Sequence, residues 1–205
     1  MPRNGLTIII NGATGVGKTI TANHLSRTLH RDYVSTDQIR QELRDTVARQ
    51  LYPVLFRSSY EIDENAVAER SQKIVTNYLA QAKLILAEMG RRYLGPSDKG
   101  MIFEGVHLNA GLLPAIKNAD YVIFYLRMPD VPEHRRRLRE RNSLNREMST
   151  KHSAHFDGIR TIGTFLEHQW SVEAQTNKHV FLINSWQEAN ALLEGRRVPN
   201  RTLVQ

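Results

Sequence analysis

Leu6-Thr7-Ile8-Ile9-Ile10-Asn11-Gly12-Ala13-Thr14-Gly15-Val16-Gly17-Lys18-Thr19 is the stretch on which the reading of this chain turns. Its first half is a short apolar run of the kind that forms a buried strand. Its second half, from Gly12 to Thr19, matches G-x-x-x-x-G-K-[ST]. Ile20, Leu25 and Leu29 then share one face of a helical pattern. Strand, glycine-rich turn and helix in that order are the context this motif requires. The glycines let the backbone turn with its N–H groups facing inward, and the helix N-terminus adds partial positive charge. Residues 12–19 are therefore expected to cradle the phosphates of a nucleoside triphosphate. Lys18 would reach the β- and γ-phosphates and the Thr19 hydroxyl would face a magnesium ion.

Working outward, four more apolar runs follow Leu6–Asn11: Tyr33–Thr36, Met101–Glu104, Tyr121–Leu126 and His179–Asn184. They are nearly continuous rather than alternating, as in strands covered on both faces. Helical patterns lie between them. Ile39, Leu43 and Val47 recur at i, i+4, i+8; a long pattern with Ile74, Tyr78 and Ile85 is predicted from about Glu61 to Met89; Arg135–Arg141, Phe156–Glu173 and Gln187–Leu193 supply the rest. Alternating strands and helices predict an α/β domain, a parallel sheet with helices on both sides. Two stretches break the rhythm: 51–71, with Pro53 and the Ser58–Ser59 pair, expected to be a loop and helix inserted after the second strand, and the polar stretch 142–157. Either has the character of a flap over a site.

Composition narrows the chemistry. The 205 residues include no cysteine, which removes disulfides, thiol nucleophiles and cysteine metal sites. No run approaches the ~18 apolar residues of a membrane span, and none has the length of a signal-peptide core, so a cytoplasmic protein is expected. The net charge is +7, and arginine supplies 21 of the 28 positive charges. Its planar fork suits phosphate and carboxylate oxygens, so anionic partners are favoured. His152 and His155 have no identifiable third partner, and no transition-metal site is expected.

Several residues beyond the motif are candidates. Asp37 ends the second apolar run, where parallel sheets bind ligands at the carboxyl ends of their strands. There it orients an acceptor hydroxyl and takes its proton, or else Asp37, or Thr36, merely caps a helix. Arg40, three residues on, suits an anionic group of the acceptor. Glu104 ends the third run and is placed either to help hold magnesium or to assist the hydroxyl. His107 could donate to an acceptor phosphate, although an isolated histidine is more often a satisfied structural residue. Five arginines fall within His134–Arg141, a like-charge density that a bound polyanion would relieve. Arg137 and Arg141, one turn apart, are placed to close over a transferring phosphoryl group.

The ordered set of segments, from the Gly12–Thr19 motif through Tyr33-Val-Ser-Thr-Asp-Gln-Ile-Arg40 and Leu55-Phe-Arg-Ser-Ser-Tyr60 to Phe103-Glu-Gly-Val-His-Leu108, resembles the 2-phosphoglycerate kinase family. It is similar, more loosely, to P-loop kinases of small metabolites and of polynucleotide 5′-hydroxyls. The resemblance implies one P-loop kinase domain over 1–205, a three-layer α/β/α fold whose five-stranded parallel sheet has the order 2-3-1-4-5. It implies ATP and magnesium, and transfer of the γ-phosphoryl group to a hydroxyl of a small phosphorylated acid. By position it makes Asp37 the base, Arg40 and His107 acceptor-binding groups, and Ser58, Ser59 and Tyr60 the lining of an acceptor pocket in the insertion. Arg137 and Arg141 fall in a lid over about 134–157.

Two other readings remain open at this level. A polynucleotide, RNA or nucleoside kinase would use the same chemistry on a different hydroxyl, although aromatic residues make up only 7% and no basic–aromatic stripe marks a stacking platform. A regulatory module would bind ATP without transferring phosphate. Oligomeric state is not encoded in any feature found.

Overall fold

All five apolar runs become strands of one parallel sheet in the computed structural model, which describes residues 5–60, 69–94, 100–142 and 155–195. They are β1 (Thr7–Gly12), β2 (Tyr33–Ser35), β3 (Ile102–Glu104), β4 (Tyr121–Leu126) and β5 (Val180–Ile183). The sheet order is β2-β3-β1-β4-β5, the order the resemblance implied. Helices connect them: α1 (Lys18–Leu29), α2 (Thr36–Thr46), α3 (Arg70–Tyr93), the short α4 (Leu113–Ile116), α5 (Val131–Asn142), α6 (Phe156–Thr176) and α7 (Trp186–Leu193).

Three consecutive isoleucines explain why the runs looked continuous. Ile8, Ile9 and Ile10 are fully buried, yet successive side chains of a strand point to opposite faces. Ile9 enters one core with Tyr78, Ile85, Phe103 and Trp170, built with α3 and α6. Ile8 and Ile10 enter another with Leu25, Phe124 and Ala189, built with α1 and α7. The sheet therefore sits between two helical layers.

The structure revises three boundaries. The second strand stops at Ser35, because Thr36 already starts α2. The stretch 51–60 follows α2 rather than the strand itself and contains a single 3-10 turn, Pro53–Phe56. α3 begins at Arg70, and residues 61–68, predicted as its first turns, lie outside the described residues. Most of the expected lid, 143–154, lies outside them as well. Among the described residues no helix is long and apolar enough to cross a membrane.

Candidate active site

The loop after β1 has the backbone its sequence demanded. Gly15 and Gly17 have φ of 88° and 103°, in the left-handed region where a side chain is strained. A Cβ on Gly15 would stand 2.6 Å from Leu138 Cδ2, so α5 lies against the loop where Gly15 has no side chain. Gly17 is the N-cap of α1, with no side chain over the helix end. The amides there remain directed at the loop, with the positive end of the helix dipole behind them.

Lys18 is buried, and its Nζ donates to the Ala13 carbonyl at 2.8 Å, which folds it back across the loop. Thr19 follows on the exposed side, and its hydroxyl donates to Glu104 Oε1 at 3.3 Å. Thus the two residues expected near magnesium, from α1 and from the end of β3, meet. A hydroxyl and a carboxylate are the hard oxygen donors that magnesium accepts, and the residues fit it.

Register aligns the strand ends. Ile10 pairs with Glu104, and Glu104 pairs with Ser35, so the ends of β1, β3 and β2 stand level. Asp37 lies two residues beyond Ser35 and Gly12 two beyond Ile10. Both follow the carboxyl edge of the sheet, with β3 between their strands. Asp37 is exposed, and its main-chain N–H donates to Ser35 Oγ at 3.2 Å. Ser35 is therefore the cap of α2, and neither Thr36 nor Asp37 has that task.

The other candidates divide. Arg40 reaches the 51–60 segment: its Nε donates to the Leu55 carbonyl at 3.0 Å and its Nη2 to the Arg57 carbonyl. Arg44 donates to the same Leu55 carbonyl at 2.6 Å. Ser58 is half-buried beside them, whereas Ser59 turns inward and donates to Gln81 Oε1 at 2.7 Å. Tyr60 stacks near His155, ring centroids 5.1 Å apart, and packs with Leu138, Phe156 and Ile159. His107 is a correction to the expected acceptor contact. It is buried, with Nδ1 3.0 Å from Thr36 Oγ1 and Nε2 2.8 Å from Gln81 Oε1, so both ring nitrogens are used inside the protein. Burial pushes its pKa down to about 4, against the pull of Asp37 and with the help of Arg40, Lys18 and Arg44.

The arginine helix is also less bare than its sequence suggests. Glu133 binds Arg136 through both carboxylate oxygens and Arg137 at 2.7 Å, and Glu140 takes a second bond from Arg136. Arg135 lies over the Phe156 ring, 4.2 Å from its centroid. Arg137 is thus held in an ion pair with Glu133, and the side chain of Arg141 lies outside the described residues.

Sequence reading missed three buried polar residues that organise this edge: His134, Asn11 and Gln81. His134 donates from Nε2 to the Thr14 carbonyl at 2.7 Å and ties α5 to the phosphate loop. Burial lowers its pKa. Asn11 donates to the Gly105 carbonyl at 2.8 Å and accepts from Trp170 Nε1 at 3.1 Å. Gln81 belongs to the inward stripe Ile74, Tyr78, Gln81, Ile85, and a polar residue in that stripe was the available signal.

A cradle of positive-φ glycines, a buried lysine, a Thr–Glu pair and the sheet order β2-β3-β1-β4-β5 together define a P-loop domain of the kinase type. Residues 8–156 match the model of the AAA domain family AAA_18, and the chain belongs to that family. The resemblance to 2-phosphoglycerate kinases is borne out among relatives. The enzyme of that name from Methanopyrus kandleri is 25% identical over 186 residues, which cover 85% of this chain and 57% of the relative. That from Methanothermobacter thermautotrophicus is 27% identical over 181 residues, 80% and 57%. An uncharacterised protein of Dictyostelium discoideum is 31% identical over 177 residues, 81% of this chain and 21% of that one. The chain thus spans between 21% and 57% of the length of these relatives. Among solved structures, shikimate kinase from Acinetobacter baumannii in complex with shikimate superposes with a TM-score of 0.50 at 14% identity, over 95% of both chains, a likeness of fold.

Proposed function

We propose that this protein is an ATP-dependent kinase that transfers the γ-phosphoryl group to a hydroxyl of a small phosphorylated acid, with 2-phosphoglycerate as the first acceptor to test. The observation that carries the reading is the level register of Ile10, Glu104 and Ser35, which sets phosphate loop, Thr19–Glu104 pair and Asp37 on one edge of one sheet.

The loop amides and Lys18 hold the triphosphate. Thr19 and Glu104 are the residues that would hold magnesium, which when bound neutralises charge on the phosphoryl oxygens. Asp37 orients the acceptor hydroxyl and takes its proton as the oxygen bonds to Pγ. The bond from Pγ to the bridging β-phosphate oxygen breaks, and ADP leaves with that electron pair. Such transfer depends on positioning and charge more than on covalent help from the protein. Arg40 and Ser58 line the acceptor side together with Tyr60. The acceptor's own anionic group suits a region where Lys18, Arg40 and Arg44 all bear on the ring of His107. Arg137 would exchange Glu133 for phosphoryl oxygens, and Arg141, a turn further along, would join it. The names of the relatives support the choice of acceptor class.

The test is ADP formation with 2-phosphoglycerate, other phosphorylated acids, nucleosides and 5′-hydroxyl oligonucleotides. Acceptor-dependent turnover with the acids is expected. Asp37→Asn should lower it by about 10²–10⁴-fold, the usual worth of a general base, while ATP affinity stays within a few-fold. Turnover confined to oligonucleotides, or surviving Asp37→Asn, would overturn the reading. ADP formation that no acceptor speeds would mark a regulatory module instead.

A further inference from the structure

The acceptor side of the site converges on one buried amide. Gln81 is fully buried on α3. Its Nε2 donates to the carbonyls of Val54 at 2.7 Å and Arg57 at 3.1 Å. Carbonyls only accept, so this end of the amide is the nitrogen and the other is the oxygen. Oε1 stands 2.7 Å from Ser59 Oγ and 2.8 Å from His107 Nε2, and both must donate to it. The ring proton of neutral His107 is therefore on Nε2. Nδ1 is left as an acceptor, and Thr36 Oγ1, 3.0 Å away, must donate to it. Every proton in the chain Ser59, Gln81, His107, Thr36 is thus assigned by its partners. Thr36 is the first residue of α2, and Asp37 is the second.

We propose that Gln81 is a positioning residue of the phosphoryl-acceptor site, joining segment 54–59 through the His107 ring to the turn of α2 that carries Asp37. The proposal rests on the reading of Asp37 as the base. Arg40 and Arg44 bind segment 54–59 from the flank of α2, but Gln81 and His107 bind the segment and the start of that helix from beneath. Gly105 makes room for the link, since a Cβ there would stand 1.7 Å from Thr36 Oγ1. A change in where the acceptor segment sits is carried by hydrogen bonds to the helix turn that holds the base. Acceptor affinity and base placement are thereby coupled, a role that neither a purely packed core residue nor a direct substrate ligand would have.

Two measurements test this. In uniformly 15N-labelled protein at pH 7, long-range proton–nitrogen spectra should show His107 as a single Nε2–H tautomer. Gln81→Met, close in volume, should give a mixture of tautomers while ATP affinity stays within about twofold. An unchanged tautomer would overturn the proposal. Kinetics with ATP and 2-phosphoglycerate supply the second. Thr36→Val should act mainly on kcat, by about tenfold, and Ser59→Ala mainly on the KM for 2-phosphoglycerate. Their combined effect on kcat/KM should fall short of the product of the two by at least about threefold, because both cut one chain. Effects that simply multiply would overturn the relay. These two smaller changes, at the ends of the chain, also carry the test if Gln81→Met does not fold. Absence of any turnover of 2-phosphoglycerate by the wild-type chain would instead count against the proposed function, and the tautomer result alone would then decide the relay.

Discussion

Gly105 and His107 show how much of this site depends on single atoms. Gly105 has φ of 153°, and an added Cβ would sit 1.7 Å from Thr36 Oγ1 and 2.7 Å from Thr36 Cβ. Neither the β3 end nor the start of α2 can retreat without breaking the Ser35–Glu104 register. Gly105→Ala should therefore destabilise the protein by about 2–4 kcal/mol, combining backbone strain with overpacking, as measured by urea unfolding. His107 gives a pH dependence of definite sign. Its pKa is near 4 in the folded chain and near 6.5 when unfolded, so the unfolded state binds the proton more readily. Stability is then fully present above about pH 6.5 and is lost as pH falls towards 4, by up to about 3 kcal/mol. The groups acting on the ring are Asp37, which favours the proton, and Arg40, Lys18 and Arg44, which oppose it; Gln81 and Thr36 are uncharged. Urea unfolding at pH 7 and pH 4.5 should show the loss in the wild type and a smaller one in His107→Gln.

At the scale of elements, legibility followed how local each determinant is. The strands were readable because Ile8, Ile9 and Ile10 carry burial on both faces in three successive letters. The phosphate loop was readable because its whole mechanism lies within Gly12–Thr19. Glu104 was legible as the only acid ending its run. By contrast, the partners of Gln81 lie 22 to 27 residues away along the chain, and nothing near it in sequence distinguishes it from a tolerated polar residue in an apolar stripe. His107 was ambiguous for the same reason: its fate depends on Thr36, 71 residues distant, and on Gln81. The arginine run His134–Arg141 looked unbalanced because it left out Glu133, which stands one turn before Arg136 and Arg137 and pairs with both. The start of α2 was misplaced by one residue, which gave the cap to the wrong side chain. Ser35 accepts the Asp37 N–H at 3.2 Å, so Ser35→Ala should cost about 1 kcal/mol, and Ser35→Asn should restore most of it. Thermal unfolding of the three proteins checks the order. If Asp37 depends on that cap for its position, acceptor-dependent turnover should follow the same order.

For the molecule as a whole, the sheet divides the interior into two cores, and the functional edge needs both to keep one geometry. The tie runs through Asn11 near the end of β1, beside the phosphate loop. Its Nδ2 donates to the Gly105 carbonyl, while its Oδ1 accepts from Trp170 Nε1, whose ring is fully buried between α6 and the sheet. One side chain thus connects the end of β1 before the phosphate loop, the β3 end beside Thr36, and α6. Trp170→Phe keeps most of the apolar bulk but removes the only donor that Oδ1 has among the described residues. Leaving a buried amide oxygen unpaired costs about 1–3 kcal/mol, and the lost ring volume adds to it. The amide can recover by turning only if it withdraws its N–H from Gly105, which moves the strain to the acceptor side. The expected result is a lower urea midpoint together with a fall in kcat. Asn11→Leu in the Trp170→Phe background removes the unpaired oxygen. The double variant should be more stable than the sum of the single effects allows, by about 1 kcal/mol in a double-mutant cycle. Strict additivity would mean that the two side chains merely pack near one another and that the two halves of the site are held level by the sheet alone.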